Sequence, residues 1–333
     1  MRVHDYEKLL HTDDEGLEIL LASAKETCWR NFGKRIHFYA PTFAYYENEY
    51  YSPPRGAFPS ISITGRYCAL NCKHCGGRVL RTMLPALTPE SLLRACTELK
   101  KRGALGCLIS GGCLSNGSVP LEKFTDAIAK IKRELGLTIA IHTGLVDSSL
   151  AKKLKEADVD VAMIDVIGSD ETIHEIYGLD ASVRDFESSL RTLRDSGIPT
   201  VPHVIVGLHY GRLKGEIEAL KMISRHHPSA IVIIAFMPIR GTAMEAVSPP
   251  RPEDIARVLA TARLTFPRVP ISLGCMRPLG GHRVKTDALA IMSGVNAMAF
   301  PTTSAVRLAK KLGYGVSFSP LCCSLSYLDV KLK

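Results

Sequence analysis

The sequence predicts an α/β fold, a (βα)8 TIM-type barrel of parallel strands, and three observations predict it. Short apolar, β-branched runs alternate with amphipathic segments along most of the chain. Eight such units can be counted, the pattern of parallel strands joined by crossover helices. Three cysteines, Cys68, Cys72 and Cys75, directly follow the first run of the series, where a barrel places its active-site mouth. At 333 residues and 46% hydrophobic residues, the chain can bury the core such a barrel needs.

The elements follow in order. Residues 1–57 are expected to form an N-terminal helical and aromatic extension, 58–312 the barrel, and 313–333 a C-terminal tail. The aromatic stretch 43–54 reads either as a lid or as packing against the barrel floor. Strands are expected at 60–64, 106–110, 138–142, 159–167, 200–207, 230–238, 271–273 and 297–300. Helices are expected at 88–101, 121–135, 148–156, 183–196, 214–225, 252–265, 285–293 and 303–311. Thr88-Pro89-Glu90-Ser91 supplies an N-cap with proline at the first helical position, and Gly103 and Gly197 stop their helices.

Composition narrows the class. No run approaches ~18 uninterrupted apolar residues, so no membrane span is expected. The charged start is unlike a signal peptide, and ten cysteines without one point to a reducing, cytoplasmic setting and to metal binding. The net charge of +9 is spread over helix faces without an aromatic-laced basic stripe. It therefore suits an acidic protein partner or an anionic substrate better than nucleic acid.

The run Cys68-Ala-Leu-Asn-Cys72-Lys-His-Cys75 offers three thiolates from one loop. That suits a 4Fe-4S cluster with one iron left open, whereas structural zinc takes four protein ligands, usually as two CxxC pairs. Zinc held by Cys68, Cys72, Cys75 and His74, in a binding or scaffold protein, is the distant alternative. The spacing resembles the signature of radical S-adenosylmethionine enzymes. Over most of its length the chain resembles the biotin synthase-like branch of that superfamily. Asp165 in Met163-Ile164-Asp165-Val166, the run Arg194–Leu208 and Phe236-Met237-Pro238-Ile239-Arg240-Gly241-Thr242 carry that likeness in the right order.

The resemblance implies a 4Fe-4S cluster on Cys68, Cys72 and Cys75, with S-adenosylmethionine on its open iron as source of a 5′-deoxyadenosyl radical. It implies that Asp165 accepts the ribose hydroxyls, with a turn cap as the plainer role. Gly111 and Gly112 would admit the methionine amine or form a simple turn. Gly207 would let adenine lie against the fifth predicted strand, or merely end it. His74 would stack on adenine or stand exposed. His142, His203 and His209 are placed at strand ends facing the mouth, as wall residues or substrate contacts. Cys113 stands where many relatives carry a carboxylate.

The 2Fe-2S site of biotin synthases cannot be built here. Matching strand by strand gives Leu108 or Cys107, then Ala140, Val201 and Ser272. The remaining thiols, Cys275, the Cys322-Cys323 pair and Cys113, suggest an auxiliary 4Fe-4S cluster. Cys323-Ser324-Leu325-Ser326-Tyr327 faintly echoes a lipoyl synthase motif. The pattern looks most like the archaeal two-protein lipoyl synthases. The reading this implies is radical sulfur insertion into an unactivated C–H bond of an octanoyl chain on an acidic lipoyl carrier protein or octanoyl peptide. Its expected partners are a low-potential electron donor and a second synthase protein, with no nucleic acid or membrane. Another biotin synthase-like reaction, a rearrangement or methylation without sulfur, is the alternative.

Overall fold

The structure, a computed structural model, describes residues 13–332. Eleven strands form one sheet: β1 (Arg35–Tyr39), β2 (Ser60–Ser62), β3 (Leu84–Pro85), β4 (Gly106–Ser110), β5 (Thr138–His142), β6 (Val161–Asp165), β7 (Thr200–Val206), β8 (Ile231–Ala235), β9 (Ile271–Leu273), β10 (Ala297–Ala299) and β11 (Gly315–Ser319). Their order is β11-β1-β10-β9-β8-β7-β6-β5-β4-β2-β3, and every pairing is parallel. All eight expected strands are present and adjacent in the expected order. The expected closed ring is instead a curled sheet with edges at β3 and β11.

Three strands carry no period strong enough to read. β3 is two residues long, and β1 and β11 come from segments assigned to the extensions. They pair with each other in register from Arg35↔Gly315 to Tyr39↔Ser319, so both ends of the chain are stitched into one edge of the sheet.

Helices cover the outer face. Ser148–Glu156, Val183–Ser196, Pro252–Thr265 and Thr303–Lys311 match expectation residue for residue. Pro89–Lys101 begins with a reciprocal capping box between Thr88 and Ser91. The seventh-unit helix begins at Gly280, five residues before the expected start, despite two glycines. The residues facing inward, among them Ala140, Val161, Met163, Val201 and Val232, form a separate buried cluster inside the curl. A fully buried pair, Arg277 Nε to Asp287 Oδ1 at 2.8 Å, ties the loop after β9 to the helix Gly280–Met292. No helix among the described residues is long and apolar enough to cross a membrane.

The aromatic stretch sits at the C-terminal ends of the strands, not on the floor. Phe43 meets Phe300 edge-on at 6.0 Å, Tyr51 stacks on Phe318 at 5.0 Å, and Tyr46 Oη donates to the Pro301 carbonyl at 2.9 Å.

Candidate metal and cosubstrate site

The thiol loop hangs from the end of β2 and is held from three sides. Ala69 N–H donates to the Cys113 carbonyl and Lys73 N–H to the Ile176 carbonyl, both at 2.8 Å. Gly112 N–H donates to Thr64 Oγ1 at 2.7 Å. A Cβ on Gly112 would lie 2.0 Å from the Tyr67 carbonyl oxygen and 2.6 Å from Cys68 Cα, so only glycine lets the loop lie against the end of β4. The role read from sequence, admission of a ligand, therefore meets a second use: Gly112 seats the cysteines themselves. Asn71 supplies the left-handed turn, at φ 45°, that brings Cys72 back beneath the loop.

Cys72 is buried, while Cys68 and Cys75 are half-buried. The Cys72 Sγ, a His74 ring nitrogen and the Cys75 Sγ all lie within 4.8 Å of one another. A hydrogen bond from the Cys72 thiol, aided by His74 and the Gly77 N–H, holds Cys75 down to about 4, so it is a thiolate at neutral pH. The same hydrogen bond pushes Cys72 up. The His74 ring packs on half-buried Tyr177 at 5.3 Å, which sequence reasoning missed because nothing local links the two.

Across the mouth, three strand ends converge. His142 closes β5, Asp165 closes β6, and His203 on β7 is Asp165's register partner. The His142 Nε2 is 3.4 Å from Asp165 Oδ1, and the two imidazoles are 5.6 Å apart. His203 Nδ1–H donates to the Val201 carbonyl at 3.1 Å, which leaves its Nε2 facing Ser324 Oγ at 3.5 Å. Burial, with His142 alongside, pushes His203 down to about 4. Burial opposes charge on Asp165, but His142, then His203 and His74, hold its carboxyl below the ordinary range. His142 is desolvated too, and Asp165 raises it despite that. His209 does not join this group. It stands with Glu171, 3.5 Å from its carboxylate, and Thr172.

Gly207 ends β7 at φ +73°, and a Cβ there would meet the Pro250 ring at 2.6 Å. Its glycine is thus required by Pro250. Its N–H donates at 2.8 Å to Glu216 Oε1, a buried carboxyl that burial pushes up to about 7. Sequence reasoning passed over Glu216 because a helix-start glutamate is ordinarily a solvated one.

The tail folds back inside the curl. Cys322 and Cys323 lie in the inner buried cluster, and half-buried Cys275 packs against it. Ser272 Oγ donates to the Cys323 carbonyl at 3.3 Å, and Tyr327 Oη to the Asp160 carbonyl at 2.6 Å. The Cys323 thiol and then the Ser324 N–H outweigh burial and hold Cys322 down to about 7. Burial pushes Cys275 up to about 11. Cys113 sits with the first thiol loop, and burial, then Cys68 and Asp165, push it up to about 12. Cys107 faces Cys96 at 4.0 Å in the outer core, so no second cluster of the biotin synthase kind forms from β4, β5, β7 and β9.

The donor set fits a thiolate-held cluster with a diol-bearing cosubstrate. Three thiols share one partly open loop, one of them already ionised. Asp165 stands half-buried with its nearest donor at 3.4 Å, so its accepting capacity is unspent.

A curled parallel sheet with such a loop after its first barrel strand defines a class of enzyme, and comparison with known proteins agrees. Residues 62–223 match the family model "Radical SAM superfamily". The chain's relatives are biotin synthase-like. It is 26% identical over 297 residues to a biotin synthase of Leptospira biflexa, covering 84% of this chain and 77% of that protein. It is 29% identical over 251 residues to that of Methylacidiphilum infernorum, covering 72% and 78%. Among solved structures, methylornithine synthase superposes with a TM-score of 0.64 at 19% identity, over 95% of this chain and 94% of that one. The FeFe-hydrogenase maturase of Carboxydothermus hydrogenoformans gives 0.66 at 15% identity, over 96% and 76%. Both share the fold.

Proposed function

We propose that this radical S-adenosylmethionine enzyme inserts sulfur into an unactivated C–H bond of an octanoyl chain carried by an acidic protein or peptide. The observation that carries the reading is the tail. It brings Cys322 and Cys323 beneath the mouth, with Cys275 against the same buried cluster, in a chain that also carries the three-thiol loop.

Cys68, Cys72 and Cys75 would hold the radical-generating cluster, and Cys275, Cys322 and Cys323 an auxiliary one. When bound, the first with S-adenosylmethionine supplies a radical that takes hydrogen from carbon, and the second supplies the sulfur. Asp165 accepts the ribose hydroxyls, and His142 keeps it charged. The apolar inner wall, Ala140, Val161, Val201 and Val232, excludes water and holds an alkyl chain. Placement there matters, since ~1 Å of error can cost about a hundredfold in rate. The +9 charge suits an acidic carrier.

A rearrangement or methylation is the second reading. It is favoured by the burial of Cys322 and Cys323 to 6% and 4% exposure in an apolar cluster, where a thiol also serves as a small hydrophobe.

The test is anaerobic reconstitution with iron and sulfide, then dithionite, S-adenosylmethionine and an octanoyl-lysine peptide. Sulfur insertion gives 5′-deoxyadenosine and a peptide heavier by sulfur. 5′-Deoxyadenosine with an unaltered peptide removes sulfur insertion and leaves the radical enzyme. A variant with Cys68, Cys72 and Cys75 all changed to alanine must release none; release would end the radical reading.

A further inference from the structure

Three neighbouring strands carry metal-ligating side chains on one face of the sheet. On β5, β6 and β7 the inward-facing residues Ala140, Met163 and Val201 belong to the inner apolar cluster. Two residues further along each strand, and so on the same face, stand His142, Asp165 and His203. Asp165 and His203 are paired in register, and β5 runs beside β6. An oxygen of Asp165 and a ring nitrogen of each histidine all lie within 4.8 Å of one another.

The spacing is that of ligands around an ion, and too long for a strong hydrogen bond. Two donors ~2.1 Å from one ion, at tetrahedral or octahedral angles, stand about 3.0–3.4 Å apart. His142 Nε2 and Asp165 Oδ1 are 3.4 Å apart. His203 is oriented from behind. Its Nδ1–H is given to the Val201 carbonyl at 3.1 Å, so the lone pair is on Nε2, and bonds of this kind orient metal-bound imidazoles. His203 is 9% exposed, but the His142 and Asp165 side chains keep 27% and 28%, which leaves the group open to an ion from solvent. Two imidazoles and one carboxylate leave the ion's other positions free, a set that suits Fe2+ or Zn2+. A second group, Glu171, Glu175 and His209, is also close-set, but its carboxylates are exposed and Lys214 already holds Glu171.

We propose that His142, Asp165 and His203 form a site for one divalent transition-metal ion, separate from the thiol loop, and that the ion and S-adenosylmethionine exclude one another there. The metal site stands whatever reaction the chain performs. Only the exclusion rests on the radical-enzyme reading, because it follows from Asp165 serving the ribose hydroxyls: a carboxylate bound to an ion has its lone pairs committed. The chain would then take up its cosubstrate poorly wherever free Fe2+ or Zn2+ is abundant.

Co2+ is the probe, titrated into the full chain carrying Cys68→Ala, Cys72→Ala, Cys75→Ala, Cys275→Ser, Cys322→Ser and Cys323→Ser. One equivalent should bind with visible d–d absorption and no near-ultraviolet thiolate band. Adding Asp165→Ala or His203→Ala should weaken binding at least about tenfold, since losing only a hydrogen-bond partner of a ligand costs that much. His209→Ala should leave it unchanged. Where the six-fold variant does not fold, Mn2+, which disfavours thiolate, replaces cobalt on the cluster-free wild type, read by loss of the free ion's paramagnetic resonance signal. No bound ion, a thiolate band, or loss with His209→Ala in place of His203→Ala would overturn the site. For the exclusion, equilibrium dialysis of S-adenosylmethionine against reconstituted wild type should show an apparent Kd that rises with Zn2+, and the His203→Ala protein should be insensitive to it. Zinc acting equally on both would overturn the exclusion. If reconstituted wild type binds no S-adenosylmethionine even without zinc, the radical-enzyme reading and the exclusion fail together, and the cobalt spectra still decide the metal site.

Discussion

Glu216 offers a test in which the structure fixes both sign and size. Its carboxyl is 4% exposed, one oxygen accepts the Gly207 N–H, and the other has no partner. Burial raises it from an ordinary 4.5 to about 7. An acid raised on folding binds more protons when folded, so between pH 4.5 and 7 its contribution to stability falls as pH rises. At about 1.36 kcal/mol per unit, ionisation of Glu216 costs the folded state about 3 kcal/mol above pH 7. Glu216→Gln keeps the acceptor for Gly207 and removes the charge, so it copies the protonated form. With ~2.1 cal/mol/K of unfolding entropy per residue, about 0.7 kcal/mol/K for this chain, the variant should melt ~4 °C above wild type at pH 8.5. At pH 4.5 the two should coincide. Differential scanning fluorimetry across that range reads the difference directly. An offset that is the same at both pH values, or absent at 8.5, would refute the buried-acid argument.

Three further outcomes follow from packing and ligand geometry. Asp287→Asn leaves the buried Arg277 guanidinium without its counter-charge and should cost ~3–5 kcal/mol in urea unfolding; Arg277→Met/Asp287→Leu should recover much of it. Gly112→Ala places a methyl 2.0 Å from the Tyr67 oxygen, so iron bound by the thiol loop should fall sharply while circular dichroism holds. Equal loading would show that the loop does not need that close approach. Changing Cys275, Cys322 and Cys323 to serine should halve iron per reconstituted chain, from about eight to about four, and leave 5′-deoxyadenosine release in place. Unchanged iron would remove the auxiliary cluster.

Much of this protein was legible in one dimension, because the relevant physics is local. Apolar runs buried on both faces mark β4 to β8. Caps such as Thr88 and Gly197 mark helix ends, and three thiols within eight residues mark a metal loop wherever that loop sits. What sequence could not decide depends on partners far along the chain. β1 and β11 lie in segments assigned to the extensions, and only their pairing across some 280 residues shows them to be strands of an open curled sheet. That Pro250 packs against Gly207 is invisible along the chain, and Glu216 reads as a solvated helix start until burial makes it a weak acid. Likewise Cys322 and Cys323 look like thiols in a polar tail, yet Tyr327 and Ser272 draw that tail into the curl. The chain alone determined which chemistry its residues carry; only the tertiary structure decided which of them meet, because burial and charge act through space and not along the chain.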